Sequence, residues 1–370
     1  MLHAVIMAGG SGRRFWPKSR EEKPKQLQNI LGKRTMIQET LLRIKPFIDT
    51  NNILIITGNP HAEELKRQIP EIPDQNIIIE PVGRNTAPCI GLSALYIKRR
   101  DPYGIMAVLP SDHLIKDKGE FLNVLSVAKR VAEEEGYLIT LGIRPERPET
   151  GYGYIQYGEE IVTIDNKRIF KVKRFIEKPK KEMAEEFLSS ENYLWNSGMF
   201  IWKVDTILKM IEIHIPELWQ GLMRIDNVIS TRTPPRHAGA GSTDKERDII
   251  GEVYSSIKGI SIDYGIMEKA KGVVVIPCDL GWNDVGSWNS LIDVLPYNED
   301  GNVVIGKHIG IDTTGSIIHN TPHKLIATIG IKDMIIIETE DALLICPRER
   351  GEDVKRLVEV IKEKGMNEYL

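Results

Sequence analysis

The sequence predicts an α/β fold. A doubly wound first unit is built on a mixed, mostly parallel sheet, and a small β-rich unit ending in a helix follows it. Three observations carry this expectation. Over roughly the first 140 residues, short runs rich in β-branched residues alternate with helical patterns. From about residue 150 glycine-aromatic and mixed segments replace that alternation, and after about Pro296 strand patterns follow one another without helices between them.

Taken in order, buried strands are expected at residues 4–8, 53–57, 77–79, 105–109 and 137–141, each a short β-branched run flanked by Gly or Pro. Phe121, Leu122, Leu125, Ala128, Val131 and Ala132 recur at helical spacing and make one apolar helix face. The segments 151–155, 169–177 and 193–202 read as strands that extend the first sheet. Residues 230–243, with Pro234-Pro235 and Gly239-Ala240-Gly241-Ser242, have no apolar face and read as a surface loop.

A boundary is placed near residue 290, giving units 1–290 and 291–370. In the second, Ile305, Ile311 and Ile317 recur every six residues, as do Ile329 and Ile335, a spacing that suits either a β-helix or the strands of a sandwich. Val354, Leu357, Val358 and Ile361 form one face of a closing helix, with Gly365 placed to end it.

Composition excludes several classes. The chain has 370 residues, 41% hydrophobic and 27% charged, with 31 Gly and 20 Pro, the profile of a folded globular protein. Its 49 basic and 52 acidic residues give a net charge of −3 with no long block of one sign, so nucleic acid is not an expected partner. Cys89, Cys278 and Cys346 are far apart with no CxxC pair, which argues against a disulfide framework or a cysteine zinc site and fits a reducing cytoplasm. The opening Met1–Gly10 lacks the basic region of a signal peptide, and no apolar run approaches the ~20 residues of a membrane helix, so neither a leader nor a membrane is expected.

The chemistry begins at the end of the first strand. Ala8-Gly9-Gly10-Ser11-Gly12-Arg13-Arg14 is a glycine-rich turn leaving a buried strand, where several backbone N–H groups can converge on one anion. Arg13, Arg14, Lys18, Lys23 and Lys25 add five cations, enough to offset a nucleoside triphosphate and stabilise a leaving pyrophosphate. The same residues would also make a plain strand-to-helix turn with a solvated basic rim. Neither a Walker A loop nor the dinucleotide GxGxxG fingerprint is present.

Asp112 follows the apolar run 105–110 and should emerge at the carboxyl edge of the sheet, where open α/β sheets bind ligands; a turn or helix-cap aspartate is the alternative. Lys25 follows Pro24, whose fixed φ stiffens the backbone before it. Gly83-Arg84-Asn85-Thr86 is a polar turn suited to the edge of a base.

The turn together with Phe15-Trp16-Pro17 and Lys23-Pro24-Lys25-Gln26 resembles the signature of the sugar nucleotidyltransferases, in particular the mannose-1-phosphate guanylyltransferase branch. Six further segments look like that family's motifs, in order: 80–88, 110–113, 175–179, 195–200, 261–264 and 281–288. The resemblance covers most of the chain. Two departures stand out, Arg13 where a small hydroxyl residue is usual and Lys18 where an aliphatic one is usual.

The resemblance implies a Rossmann-like, GT-A-like nucleotidyltransferase domain and a left-handed β-helix-like tail. It implies transfer of GMP from GTP to mannose 1-phosphate, with Mg²⁺ and with Arg14 and Lys25 as catalytic residues. Ala8, Gly9, Gly10, Gly12, Arg13, Gly83, Asn85, Thr86 and Asp112 would bind the nucleotide. Gly153, Glu177, Lys178, Asn196 and Asp263 would bind the sugar phosphate, and Asp112 with Asp284 would hold the metal. Trp195, Trp282 and Trp288 are expected under the sugar pocket, although aromatic residues beside glycines are more often core.

Because the attacking phosphate is already an anion, no Ser, Cys or His base is needed. Three other readings remain open: the same fold acting on another nucleotide and hexose 1-phosphate, a non-catalytic sugar-nucleotide sensor, and a glycosyltransferase. The last would need an Asp-x-Asp motif, which Asp112-His113-Leu114 does not supply. The isomerase domain that larger members carry is not expected, as no His-rich segment follows residue 290, and the short strand-rich tail suggests a homodimer.

Overall fold

A computed structural model of the chain describes residues 1–10, 12–134, 136–230 and 244–370; most of the surface loop expected at 230–243 lies outside the described residues. The strands of the first unit are β1 (Leu2–Met7), β2 (Ile53–Gly58), β3 (Ile77–Glu80), β4 (Ile105–Pro110), β5 (Leu114–Ile115), β6 (Leu138–Ile143), β7 (Tyr154–Ile164), β8 (Lys167–Ile176), β9 (Tyr193–Lys203), β10 (Val273–Cys278) and β11 (Trp282–Asn283). Between and after them run α1 (Met36–Ile44), α2 (Ala62–Gln68), α3 (Thr86–Arg100), α4 (Lys118–Glu134), α5 (Lys181–Ser189), α6 (Val204–His214), α7 (Pro216–Ser230) and α8 (Asp244–Ser256), and the short α9 (Leu291–Val294) opens the second unit.

Nine strands form one sheet in the order β3-β2-β1-β4-β9-β6-β10-β8-β7. β1 pairs in parallel with β2 and β4, and β6 with β10. β9 is inserted between β4 and β6, antiparallel to both. The segments expected to extend the sheet do belong to it, with β9 entering its middle, and the antiparallel β9 and β8 make the sheet mixed.

Side chains alternate across this sheet. Ala4, Ile6, Ile53, Ile55, Ala107 and Leu109 pack on one face with Phe121, Leu125 and Ala128 of α4. Val5, Leu54, Ile56, Met106 and Val108 pack on the other with Ile90 and Leu95 of α3 and with residues of α6, α7 and α8. Burial on both faces is why these strands read as unbroken apolar runs.

The second unit comprises β12 (Val303–Ile305), β13 (Lys307–Ile311), β14 (Ile317–His319), β15 (Leu325–Ile329), β16 (Met334–Glu338), β17 (Leu343–Pro347) and α10 (Val354–Glu363). β12, β14 and β16 stack in parallel, β17 closes that sheet as an antiparallel partner of β16, and β13 pairs with β15.

The β-helix expectation holds, but not every isoleucine of the six-residue series points inward. Ile317 and Ile335 face inward, but Ile311 and Ile329 are 60% and 74% exposed. The repeat that the backbone follows joins Lys307 to Leu325 and Ile317 to Ile335, eighteen residues apart. Val354 and Val358 of α10 are buried, and Gly365 sits at φ 71° where that helix ends.

The second unit does not close a core of its own. Val303, Ile317, Ile335, Ile337, Leu344, Val354 and Val358 share one cluster with Phe15, Trp16, Ile30, Met36, Val285, Trp288 and Leu291. Two of these, Phe15 and Trp16, come shortly after the glycine turn.

Candidate functional site

β1 and β4 are neighbours whose ends align, Met7 opposite Pro110, so the glycine turn and Ser111-Asp112 leave the sheet side by side. The turn is held from beneath by Gln26, whose Nε2 donates to the carbonyls of Ala8 at 2.7 Å and Gly10 at 2.9 Å. Among the described residues, the amides of Gly9, Gly10 and Gly12 have no protein acceptor. Gly12 is at φ 58°, and a Cβ there would lie 2.6 Å from the Lys25 amide nitrogen, so only glycine fits.

Lys25, 4% exposed, joins segments remote in sequence. Its Nζ donates to Asp112 Oδ2 at 2.8 Å and to the Asp284 carbonyl at 2.8 Å. Asp284 is brought there by a short ladder in which Trp282 and Asn283 of β11 pair with Ile115 and Leu114 of β5, just past Asp112. Asp284 Oδ1 accepts from the Tyr152 hydroxyl at 2.6 Å and from the Gly286 amide at 3.1 Å.

Burial alone would raise the Asp112 carboxyl, but the charge and hydrogen bond of Lys25 hold it below the ordinary carboxylate range. Burial lowers His113 to about 4, so its ring is neutral, and its Nδ1 accepts from Trp282 Nε1 at 3.1 Å. Burial, with Asp284 beside it, pushes the Tyr152 phenol upward, so Tyr152 stays a donor.

Gly12, Arg13, Arg14, Lys25, Asp112 and Asp284 line one open cleft. An adjoining cleft shares Arg14 and Asp284 and adds Arg147, Tyr152 and Lys178. Next to Lys178 lies a cluster of polar groups. The Asn196 amide donates to the Gly153 carbonyl at 2.8 Å, and Asn196 Nδ2 donates to Asp263 Oδ1 at 3.0 Å. Glu177 lies so close to Gly153 that any side chain there would collide with its carboxylate.

Burial and the charge of Asp263 raise Glu177 to about 7, and its Oε2 is buried without a hydrogen-bond partner. Burial also raises Asp263, against the pull of its own amide and Asn196. Lys178 sits at φ 49°, its Nζ 3.4 Å from Glu177 Oε1. This leaves one buried acceptor, Glu177 Oε2, unmet beside a lysine.

Gly83, Asn85 and Thr86 lie at the start of α3. Asn85 Oδ1 caps it by accepting from the Thr86 amide at 2.8 Å, and Thr86 Oγ1 accepts from the Ile262 amide at 2.8 Å. Arg84 turns away to the Tyr254 carbonyl at 2.6 Å. Sequence reasoning assigned no role to Glu80, the last residue of β3. Its Oε2 lies 3.6 Å from where a Gly9 Cβ would stand, its Oε1 is buried and unpartnered, and burial raises it to about 7. The signal in the sequence was a lone acid ending an apolar strand beside the glycine turn.

Other expectations fail. Lys18 does not join the cleft: its Nζ donates to the Asn29 carbonyl at 3.0 Å and to His319 Nε2 at 2.9 Å. Lys23 pairs with Glu64 at 3.8 Å instead. Trp288 is not under the sugar pocket but in the shared core, 5.0 Å from the Phe15 ring with its Nε1 donating to the Trp16 carbonyl. Trp195 and Trp282 do pack on Tyr152, each at 5.2 Å. No cluster of three or more His, Cys, Asp or Glu able to hold a metal ion occurs among the described residues. No helix among them is long and apolar enough to cross a membrane.

The nucleotidyl transferase family model matches residues 3–301, and a model of the mannose-phosphate isomerase/GMP-like β-helix domain matches 306–361. A mannose-1-phosphate guanylyltransferase of Klebsiella pneumoniae is 39% identical over all of this chain and 76% of its own length. One from Escherichia coli is 38% identical over the same shares. A crystal structure from Thermus thermophilus, described as a mannose-1-phosphate geranyltransferase, superposes with a TM-score of 0.84 at 29% identity, covering 98% of this chain and 99% of that one. With a match to the first model along most of its length and relatives this similar end to end, the chain belongs to the nucleotidyl transferases, an enzyme family, and within them to the mannose-1-phosphate guanylyltransferases.

Proposed function

We propose that the enzyme transfers GMP from GTP to α-D-mannose 1-phosphate, giving GDP-mannose and pyrophosphate. A phosphate oxygen of the sugar phosphate attacks the α-phosphorus of GTP in line. The new phosphorus–oxygen bond forms as the bond to the bridging α–β oxygen breaks, and pyrophosphate leaves with the electron pair. The observation that carries this reading is the position of Lys25, whose ammonium ties Asp112 to Asp284 at the mouth of the glycine turn, one cleft away from Lys178.

Lys25 and Arg14 offset charge on the transferring phosphoryl group, and Gly9, Gly10, Gly12 and Arg13 hold the triphosphate. Lys178 holds the sugar phosphate, while Gly153, Glu177, Asn196 and Asp263 orient the hydroxyls. Gly83, Asn85 and Thr86 flank the base.

The donor set fits Mg²⁺. Asp112 and Asp284 offer hard oxygens without a third carboxylate, and Mg²⁺ is commonly held by one or two carboxylates with substrate phosphates and water. When bound, it would neutralise charge on the phosphates.

We place the catalytic unit at residues 1–290 and the β-helix unit at 291–370. We also propose a homodimer: Ile309, Ile311, Leu325 and Ile329 expose an apolar face on the unpaired two-stranded sheet of the second unit. A concentration-independent monomer in light scattering would remove that element. The main test incubates the protein with Mg²⁺, mannose 1-phosphate and GTP, UTP, dTTP, ATP or CTP in turn. Pyrophosphate release with GTP well above the others supports the assignment, whereas preference for another base, or no release, overturns it.

A further inference from the structure

The triphosphate cleft has a wall that the first unit does not supply. Lys355, in the first turn of α10, lines it together with Gly12, Arg13, Arg14, Lys25 and Asp112. The backbone that carries Lys355 is anchored. Val354 beside it and Val358 one turn on are buried in the cluster that contains Phe15 and Trp16, so α10 is seated on the segment leaving the glycine turn. The residues before α10 reach the same place, for Glu352 Oε2 lies 2.7 Å from Arg14 Nε and lines the adjoining cleft.

The charges around this cleft do not balance. Arg13, Arg14, Lys25 and Lys355 face the carboxylates of Asp112, Asp284 and the Arg14-bound Glu352, an excess of one cation with His113 neutral. Neither Arg13 nor Lys355 makes an ion pair among the described residues. A lysine in the first turn of a helix also opposes the helix dipole. Repulsion among these cations and that local penalty are both relieved by one event, the arrival of a polyanion.

We propose that Lys355 is a phosphate-binding residue of the active site, contributed by the second unit, which neutralises the β- and γ-phosphates of the incoming triphosphate and then the leaving pyrophosphate. This rests on the nucleotidyl-transfer reading above. It makes α10 part of the site, where the family's sequence motifs all lie in the first unit.

The test compares wild type with Lys355→Ala and Lys355→Arg. Expected for Lys355→Ala is a KM for GTP and an inhibition constant for pyrophosphate each raised about five- to tenfold, equivalent to one charge-assisted contact. The KM for mannose 1-phosphate and the thermal midpoint should be unchanged, and Lys355→Arg should recover most of the loss. Active wild type with Lys355→Ala constants for GTP and pyrophosphate equal to its own would overturn the proposal and leave the assigned reaction standing. If wild type transfers no nucleotide, the assigned reaction fails. Calorimetric titration of wild type and Lys355→Ala with inorganic tripolyphosphate then still decides the role of Lys355, because equal affinities refute it and a weakened variant supports it.

Discussion

The two units of this molecule reach stability by different means. The first buries both faces of a nine-stranded sheet under helices and closes two apolar clusters of its own. The second is a thin stack of short strands whose inward residues meet across to Phe15, Trp16, Val285 and Trp288. A unit that must borrow its core is tied to whatever supplies that core. Here the supplier is the stretch leaving the glycine turn and the stretch following Asp284.

Four groups of substitutions probe this contrast. Lys25→Ala should leave both units folded and lower kcat by about 10²–10³-fold, the effect of losing one preorganised charge at a reacting phosphate; wild-type turnover would refute its role. Asp112→Asn and Asp284→Asn should each lower turnover by about tenfold to a hundredfold and shift the Mg²⁺ dependence to higher concentration, read by metal titration.

Phe15→Ala tests the borrowed core. It should cost about 3–5 kcal/mol in denaturant unfolding and also raise the KM for GTP, since the same ring seats α10 beside the turn. An equally deep cut in the sheet, Leu125→Ala, should cost about 2–5 kcal/mol while leaving the KM for GTP unchanged.

The smallest effect concerns pH. Burial raises both Glu80 and Glu177 to about 7 from an ordinary 4.5, so the folded protein holds protons there that the unfolded chain has released. Stability from these groups is therefore fully present below about pH 4.5 and declines as pH rises toward 7. Thermal midpoints of Glu80→Gln and Glu177→Gln should fall less than those of wild type across that window.

Much of the sheet was legible in the sequence because a strand buried on both faces writes a continuous β-branched run. Residues 53–57 and 105–109 were placed within a residue at each end for that reason. The position of β9 was not legible, since strand order is a long-range property that no local pattern records. Asp112 and Asp284 could be related only by family resemblance; the two-residue ladder that joins them is too short to leave a period.

The isoleucine spacing pointed to the β-helix but not to which residues face inward, because Ile311 and Ile329 keep a strand's composition while facing solvent. Lys18 misled because charge counted along the chain carries no direction, and its side chain crosses to His319 in the other unit. Glu80 was overlooked because a single acid at a strand end looks the same whether it is solvated or sealed against a glycine.

The seam of Phe15, Trp16, Trp288, Val354 and Val358 also limits how the enzyme can breathe. Prising the units apart to admit a ligand would wet that whole aromatic and aliphatic contact, at about 25 cal/mol for each Å² exposed. The cleft lined by Arg13 and Lys355 opens to solvent, so a ligand reaches it without parting the two units.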